Sequence, residues 1–570
     1  MRVEREEAAE LPRFGCRAER PLPSRGADLR FVGPAQQGLP PPAAKTPAID
    51  NCLMRTEGSD AMDPLANLQI STNFSTGDWT IVVVFLVAST VLGMWAMRYI
   101  KDMDDYVVAG RSVRTYLGVA SMIAAELGLV TVMYSAQKGF LCGFAFFAIA
   151  VLAAVAGLIV GQTGLIVVPL RNMGVMTIPE FYQRRYSHGL RVVGGAILAA
   201  SGILNMGMFL KADSMFVTSV MGMNSDLQLK IAMTILLLLV LLYTMVGGMI
   251  SVVFTDYLQY TIMAIGLVVT SVLLMVHFGW GNIVDRVQQI KGPAGFNPFT
   301  APKIGPWYLV WMFFLGFISS CVWQTSVMRA TSAEDEKVVR RTYSWGSVGF
   351  LIRFLIPYFW GICAMVFLFQ DPRLRAIFLP ANGEVSQNVA LRAMPIALSN
   401  LMPAGFIGIL TAGMLAAAMS TYNTYLHTWS AVLTQDVVAP LSGRPLSSSQ
   451  RIFLARMIMC VVAVFLLVWG LWYPLGEDLW DYMAITGAIY FTGAFAVLVG
   501  GVYWKRASCM GAYGAFAVSL ANVIGLKPVA DALRIDWPGN GEWPGLLIVP
   551  LTCATFVVLS LLYPDRKREA

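Results

Sequence analysis

The chain has 570 residues, of which 57% are hydrophobic and only 13% are charged. A soluble globular protein carries roughly 25% charged residues, so this composition excludes an ordinary soluble protein and favours one large membrane domain. The net charge of +7 comes from basic residues scattered among the predicted loops, and we therefore expect no nucleic-acid partner.

Residues 1–78 differ from everything that follows them. They are polar, rich in Arg, Glu and Pro, and contain no apolar run long enough for a signal peptide. We expect this segment to be disordered. Met54 and Met62 are alternative starts closer to the first apolar run.

From residue 79 to residue 564 the sequence predicts an all-α polytopic domain of about thirteen membrane-spanning helices. Their approximate ranges are 79–99, 115–141, 144–169, 190–213, 228–247, 250–277, 306–328, 343–370, 401–436, 452–474, 481–504, 509–526 and 545–563. The 401–436 segment is too long for one span, which predicts a bent or interfacial end. Residues 565–570 form a short tail.

Basic residues in the predicted loops indicate the orientation of the spans. If the spans alternate, most of the clusters lie on one side, and they include Arg98, Lys101, Arg184, Arg340 and the tail DRKREA. The positive-inside rule makes that side cytoplasmic. We therefore expect a multi-pass protein of the cell (inner) membrane, with its N-terminus outside and its C-terminus in the cytoplasm.

The stretch 404–436 carries the most informative polar pattern. On a helix, Gly413, Ala417, Ser420 and Thr424 fall on one face, with small residues first and hydroxyls after them. One interpretation is helix–helix packing, because Ser and Thr are common at membrane helix interfaces. The other is a site for a small hard cation, which requires several oxygen ligands.

Charged residues inside predicted spans are costly in hydrocarbon and are therefore functional candidates. Asp256 lies two helical turns beyond Gly247–Gly248, and its carboxylate can join the hydroxyls of 404–436 around a cation; the alternative is an interfacial acid in contact with water. For Glu126 two interpretations remain open. It has either a structural role, as a protonated acid or an acid paired with a basic residue, or a functional role. For Arg353 and Lys211 we expect snorkelling or pairing with an acid.

Two further pairs can face a polar cavity, although ordinary packing explains each equally well. They are Asn205 with Met208, and Trp323 with Gln324. The sequence contains no P-loop, GxSxG or Rossmann pattern in a supporting context. We therefore expect no enzymatic activity.

Four segments together resemble the solute:sodium symporter family, in its bacterial-type form. These segments are DDYVVAGRSV (104–113), MTIPEFYQRRY (176–186), LYTMVGGMISVVFTDYLQ (242–259) and GMLAAAMSTYNTYLHTWSAVLTQD (413–436). The third is the most specific. The resemblance covers 79–504 well, the last two spans loosely, and residues 1–78 not at all.

The resemblance implies a LeuT-type fold with two inverted five-helix repeats, approximately 115–277 and 306–504. One additional helix precedes the repeats and two helices follow them. It also implies a sodium ion between the 115–141 and 401–436 helices. The matching ligand positions are Ile123, Ala124, Glu126, Leu127, Ala417, Ser420 and Thr421.

The resemblance implies two further sites. A second sodium ion, present in some members, maps to Asp256, Ser420, Asn423 and Thr424, with Asn423 standing where a serine is expected. The substrate positions map to Gly128, Asn205, Met208, Trp323 and Gln324. Some members that bind acidic substrates carry arginine at the position of Asn205, so its absence argues against a strongly anionic ligand.

The function implied is sodium-coupled symport of a small organic solute into the cell by alternating access, with Na⁺ as the coupling ion. Two alternatives remain open. One is a proton-coupled transporter that uses Glu126, and the other is a transporter-like membrane sensor, which would need a separate signalling partner. We expect the lipid bilayer and a small solute as partners and a functional monomer. The residues do not identify the substrate.

Overall fold

A computed structural model describes residues 71–96, 111–223, 225–245, 249–380, 385–443, 445–473, 479–539 and 541–565. Within these ranges the chain is almost entirely helical and forms no β-strand, which confirms the predicted all-α class. The Gly247–Gly248 pair and the tail 566–570 lie outside the described residues, as does most of the predicted N-terminal segment.

In the described part of the first half of the domain there are ten α-helices. They are α1 (Thr76–Ala96), α2 (Thr115–Glu126), α3 (Leu129–Cys142), α4 (Phe147–Thr163), α5 (Val167–Asn172), α6 (Ile178–Arg185), α7 (His188–Met206), α8 (Phe209–Val220), α9 (Asp226–Thr244) and α10 (Met249–Phe278).

Thirteen more α-helices follow in the described ranges. They are α11 (Trp280–Lys291), α12 (Gly305–Val322), α13 (Gln324–Ser332), α14 (Glu336–Gln370), α15 (Pro372–Phe378), α16 (Gln387–Leu401), α17 (Phe406–Val432), α18 (Ala439–Leu441), α19 (Ser448–Trp472), α20 (Leu479–Tyr503), α21 (Cys509–Ser519), α22 (Lys527–Ala532) and α23 (Glu542–Leu562).

The described helices include nine segments that are long and apolar enough to cross a membrane, with two shorter apolar helices besides. The multi-pass architecture follows from them, whereas the number of about thirteen spans stays a prediction. The end of the long 401–436 segment is irregular, because a π-helical turn, Leu433–Val438, joins α17 to α18.

Burial separates the central helices from the peripheral ones. The most apolar part of Phe406–Leu441 is 89% buried, against 28% for Ser448–Trp472 and for Glu542–Leu562. Helix α17 packs against α1, α2, α10 and α19, so that it lies at the centre of the domain. Its polar residues are therefore buried in protein, as polar groups at membrane depth must be.

Two helices are interrupted near the start of the two predicted repeats. The first break separates α2 from α3 at Leu127 and Gly128, whose backbones are non-helical. The second separates α12 from α13 at Trp323, which has an extended backbone with φ −72° and ψ 118°. Such breaks expose backbone carbonyls inside the protein, where they can bind an ion.

Residues 71–78, at the end of the predicted N-terminal segment, are among the described residues and contact the helical domain. The Asn73 side chain donates hydrogen bonds to the carbonyls of Asn400 (2.8 Å) and Met402 (3.0 Å). The Asp78 carboxylate accepts hydrogen bonds from the backbone N–H groups of Gly405 and Gly408, both at 2.8 Å. Asp78 thus caps the N-terminus of α17, whose unpaired N–H groups attract an anion.

Candidate functional site

The break between α2 and α3 faces the buried residues Ala417, Ser420 and Thr421 of α17. The Thr421 hydroxyl donates to the carbonyl oxygen of Ala125 at 3.3 Å. Ala417, Ser420 and Thr421 are all buried. This part of α17 is therefore turned toward the broken helix. Oxygen atoms from two helices that are far apart in sequence come together at the break.

Gly128 allows this close approach. Its backbone, with φ −75° and ψ 161°, has a conformation that any residue can adopt. The conformational freedom of glycine therefore does not explain why this position is a glycine. A Cβ atom at this position would instead lie 3.1 Å from Thr421 Cβ and 3.2 Å from Thr421 Cγ2, closer than such atoms normally pack. The small residue lets the end of the break rest directly on α17.

The carbonyls around the break differ in their hydrogen bonds. The Ile123 carbonyl accepts the Leu127 N–H at 2.8 Å. The Glu126 carbonyl accepts the Thr131 hydroxyl at 3.0 Å and Arg353 Nη1 at 2.6 Å. The carbonyl that the α17 hydroxyl reaches is that of Ala125, which was not in the predicted set.

Asp256 of α10 meets α17 at Ser420, in a fully buried cluster. Its carboxylate accepts hydrogen bonds from Ser420 (2.5 Å) and Ser121 (2.7 Å). Arg329 of α13 lies in the same cluster, with Nη2 3.4 Å from Asp256 Oδ2 and 3.0 Å from the Thr424 hydroxyl. The interfacial interpretation of Asp256 is therefore wrong, because the residue is 0% exposed and has a guanidinium partner.

Asn423, the third residue predicted around the second ion, is also buried. Its amide oxygen has no hydrogen-bond partner among the described residues. Buried polar atoms without a partner are rare and require an explanation. This oxygen is thus able to accept a bond from an ion, a water molecule or a rearranged side chain.

A cavity of about 180 Å³ adjoins the break. Glu126 and Arg353 line it together with hydroxyl and aromatic side chains. Glu126 accepts hydrogen bonds from Thr325 (2.8 Å) and Ser326 (3.4 Å) of α13, and its Oε2 lies 3.5 Å from Arg353 Nη1. Arg353 thus lies beside an acid, which is one of the two alternatives that the sequence left open for it.

Aromatic rings close the cavity on the side of α13 and the C-terminal half of α17. The Trp323 ring contacts the rings of Tyr425, Trp429 and Phe491 at centroid distances of 5.9, 5.1 and 5.0 Å. Trp323 Nε1 also donates to the Tyr425 hydroxyl at 3.2 Å. Trp323, Tyr425 and Phe491 thus form an aromatic wall of the cavity.

Trp480 also lines the cavity and belongs to a second aromatic cluster. Its ring contacts those of Tyr134 at 5.0 Å, Phe354 at 5.1 Å and Phe146 at 5.4 Å. The neighbouring Asp481 binds Lys138 at 3.1 Å. The Tyr308 hydroxyl donates to the same carboxylate at 2.7 Å.

The five predicted substrate positions occupy different places. Asn205 and Trp323 line the cavity, and the Asn205 amide donates to the Met483 carbonyl at 2.8 Å. Gly128 contacts Thr421 of α17. Met208 is buried, and the Gln324 side chain accepts the backbone N–H of Ile178 at 3.0 Å; neither lines the cavity.

Lys211, which the sequence analysis selected, donates to the Tyr473 carbonyl at 3.3 Å, and no acid pairs with it among the described residues. Sequence reasoning missed other charged groups, which are buried. Lys138, Asp213 and Asp481 lie in predicted spans or at their ends and satisfy the same criterion that selected Glu126. Arg329 stands in the CVWQTSVMR segment, and nothing in the sequence indicates that it meets Asp256.

Comparison with known proteins is consistent with this geometry. The model of the sodium:solute symporter family matches residues 106–521. The chain is 25% identical to the sodium/glucose cotransporter of Vibrio parahaemolyticus, over 79% of this chain and 85% of the relative. It is 22% identical to the sodium/sialic acid symporter SiaT of Proteus mirabilis, over 80% of this chain and 91% of the relative.

A solved structure of a Na⁺-coupled sialic acid symporter in a substrate-bound, outward-open state matches with a TM-score of 0.71 and 19% identity. The match covers 87% of this chain and all of that one. At this identity the likeness establishes the fold, which is the predicted LeuT-like architecture.

Proposed function

The chain belongs to the sodium:solute symporter family and couples sodium to the transport of a small solute across a membrane; we propose that the coupling ion binds between the α2–α3 break and α17. The observation that supports this location is the contact of the Thr421 hydroxyl with the Ala125 carbonyl. Oxygens without formal charge suit a small cation that has to be released again in every cycle.

We assign the ion to backbone and hydroxyl oxygens on both helices. On α17 these are the predicted Ala417 carbonyl and the hydroxyls of Ser420 and Thr421. On the broken helix, the Ala125 carbonyl joins the predicted set, because it is the one in contact with α17. The other predicted positions on the broken helix stay candidates; they are Ile123, Ala124, Glu126 and Leu127.

The coupling between ion and solute follows from shared residues. Ala125 and Thr421 line the cavity as well as the proposed ion site. An ion that fixes the backbone conformation at the break therefore also fixes one wall of the cavity. A solute bound in the cavity favours the same backbone conformation. Each ligand then strengthens the binding of the other by the same factor.

We propose that a single sodium ion is coupled in each cycle. A second ion at Asp256 was predicted from the resemblance, but Arg329 already places a positive charge beside that carboxylate. A second cation would have to bind next to the guanidinium or displace it from a fully buried site. A sodium titration with a Hill coefficient near one supports this stoichiometry, and a value near two contradicts it.

Alternating access requires one closed side at a time. We propose that the Trp323 cluster closes the cytoplasmic side and that Trp480 with the Asp481 cluster closes the outer side. This assignment rests on the predicted orientation, in which the basic loops lie in the cytoplasm. The location is then the cell membrane, with solute and sodium moving inward together.

Sodium-induced stabilisation of the purified full-length protein tests the ion site without knowledge of the solute. Ligands that bind only the folded state raise its apparent melting temperature. We expect a rise in sodium chloride relative to potassium or choline chloride. Thr421→Ala should lose most of it, whereas Thr234→Ala should not, because that exposed hydroxyl bonds only its own helix at Lys230.

Uptake into proteoliposomes tests the coupling. A sodium gradient directed inward should drive accumulation of a solute identified by its effect on melting temperature. Uptake that is equally fast in potassium and follows a pH gradient would show the proton-coupled alternative through Glu126. Solute binding without any flux would show the sensor alternative.

A further inference from the structure

The cavity contains one acidic and one basic side chain that do not form a tight pair. Their closest atoms, Glu126 Oε2 and Arg353 Nη1, are 3.5 Å apart. A charge-assisted hydrogen bond between such groups is typically about 2.7–2.9 Å long. The two charges therefore lie side by side, and each is held mainly by other groups.

Arg353 is held by backbone and aromatic contacts. Its Nη1 donates to the Glu126 carbonyl oxygen at 2.6 Å. Its guanidinium lies over the rings of Phe350 and Phe354, at 4.5 and 4.4 Å from their centroids. Its Nε is buried without a hydrogen-bond partner among the described residues, so the guanidinium retains an unused donor.

Glu126 is held independently by α13. Its Oε1 accepts hydrogen bonds from Thr325 and Ser326, which leaves Oε2 on the side of Arg353. The side chains of Glu126 and Arg353 are 11% and 12% exposed, and both line the cavity. Two opposite charges are thus fixed in advance at the wall of one cavity, an arrangement that reduces the entropic cost of binding.

We propose that the transported solute is an α-amino-acid-type zwitterion, whose ammonium group binds Glu126 and whose carboxylate binds Arg353. This inference rests on the proposed function, because it names the solute of the same cavity. The carboxylate and ammonium of an α-amino acid are attached to one carbon, so they match two protein charges that lie close together. Arginine is well suited to the carboxylate because its fork of N–H donors can bind both oxygens.

Charge balance disfavours ligands that carry only one of these groups. A simple carboxylate at Arg353 would lie beside the Glu126 carboxylate, and a simple amine at Glu126 would lie beside the Arg353 guanidinium. Like charges in a desolvated cavity repel strongly, and such repulsion provides specificity. A zwitterion gives each protein charge an opposite partner and leaves the net charge of the site unchanged.

The remaining walls suit an apolar or aromatic substituent. Phe209, Met312, Trp480, Met483 and Phe491 line the cavity around the two charges. Pockets of this kind bind apolar groups, while a few polar side chains fix the orientation of the ligand. Leucine and phenylalanine are therefore the first probes.

Binding is measured on the full-length protein in nanodiscs with sodium present. The panel contains the twenty amino acids, glycine betaine and glucose. Two sets of matched analogues accompany it: leucine with 3-methylbutylamine and 4-methylpentanoate, and phenylalanine with phenethylamine and 3-phenylpropanoate. We expect at least one zwitterion to bind, and its amine and acid analogues to bind at least tenfold more weakly.

Glu126→Gln provides the discriminating variant, because the amide keeps the size of the side chain and still accepts hydrogen bonds from Thr325 and Ser326. We expect zwitterion affinity to fall about tenfold or more, since a hydrogen bond to a charged group is lost. Affinity for the acid analogue should rise relative to the zwitterion, because the repelling carboxylate is gone. A general loss of structure would not change this ratio.

Arg353→Lys and Asp226→Asn complete the set. The lysine variant keeps the positive charge but loses the planar fork of N–H donors. The zwitterion should therefore bind more weakly, while the affinity for the amine analogue should change little. Asp226→Asn breaks an exposed pair with Lys230, at 2.6 Å, and should change neither affinity nor the ratio.

Two results would overturn the inference. One is the absence of binding by every zwitterion in the panel, and the other is an unchanged ratio of acid to zwitterion in Glu126→Gln. If glucose binds and stabilises the protein only with sodium, the zwitterion inference fails while the symporter function stands. If sodium has no effect with or without solute, the proposed ion site itself fails.

Discussion

Replacing Gly128 with alanine disturbs the proposed sodium site without removing any of its oxygen ligands. The backbone at Gly128 is extended, so alanine adds no conformational strain. The added methyl group would lie 3.1 Å from Thr421 Cβ and closer still to the Thr421 hydroxyl oxygen. The break and α17 must then separate, which pulls the hydroxyl away from the Ala125 carbonyl.

Overpacking of this kind typically costs about 1–3 kcal/mol. If the separation falls on the ion site, sodium affinity decreases by roughly 5- to 150-fold, since about 1.4 kcal/mol corresponds to a factor of ten. The assay is a sodium titration of the apparent melting temperature of the purified variant, with potassium held as the balancing cation.

Gly413→Ala is the matched control, because it places a methyl group on the same helix α17 in ordinary contact, 3.7 Å from the Ile262 carbonyl oxygen. We expect its sodium affinity to stay within about twofold of the unmodified protein, because such a contact needs no rearrangement. Unchanged sodium affinity in Gly128→Ala would refute the location of the ion between the break and α17.

The buried ion pairs lead to further predictions. Arg329→Met leaves Asp256 buried without a cation and should lower the free energy of unfolding by about 3–5 kcal/mol, whereas adding Asp256→Asn should recover much of that loss. Chemical denaturation in detergent measures the stability of both variants. Equal stability of the single and the double variant would contradict the pairing. Lys138→Met should destabilise the protein similarly through Asp481, with partial recovery in Lys138→Met/Asp481→Asn, measured in the same way. Ser420→Ala should raise the sodium concentration for half-maximal stabilisation by about tenfold, because it removes one ligand; a titration that superimposes on the unmodified protein would exclude this hydroxyl from the site.

Part of the site could be predicted from the sequence because the signals are local. The spacing of Ala417, Ser420 and Thr424 places them on one helix face whatever surrounds the helix. Glu126 and Arg353 were selected because charges in apolar spans are costly. Gly128 beside Glu126 is compatible with a break, although the spacing alone does not fix the point at which α2 ends.

Other features depend on contacts between residues far apart in the chain. Arg329 is 73 residues from Asp256, and Lys138 is 343 residues from Asp481. No local pattern selects these partners, because only the packing of α13 against α2 and α17, and of α20 against α3, brings them together. Local sequence also does not determine whether a residue near a break lines the cavity, and Met208 and Gln324 do not line it.

The sequence by itself determined that this protein is a helical membrane protein with the motifs of a sodium-coupled symporter. The length of the apolar segments and the spacing of residues within a motif can be read without knowledge of the tertiary structure. Only the tertiary structure decided which oxygens meet at the break, and which charge lies beside Asp256. The physical reason is that a buried ion, whether sodium or guanidinium, is stabilised by neighbours within a few ångströms, and folding chooses those neighbours from distant parts of the chain.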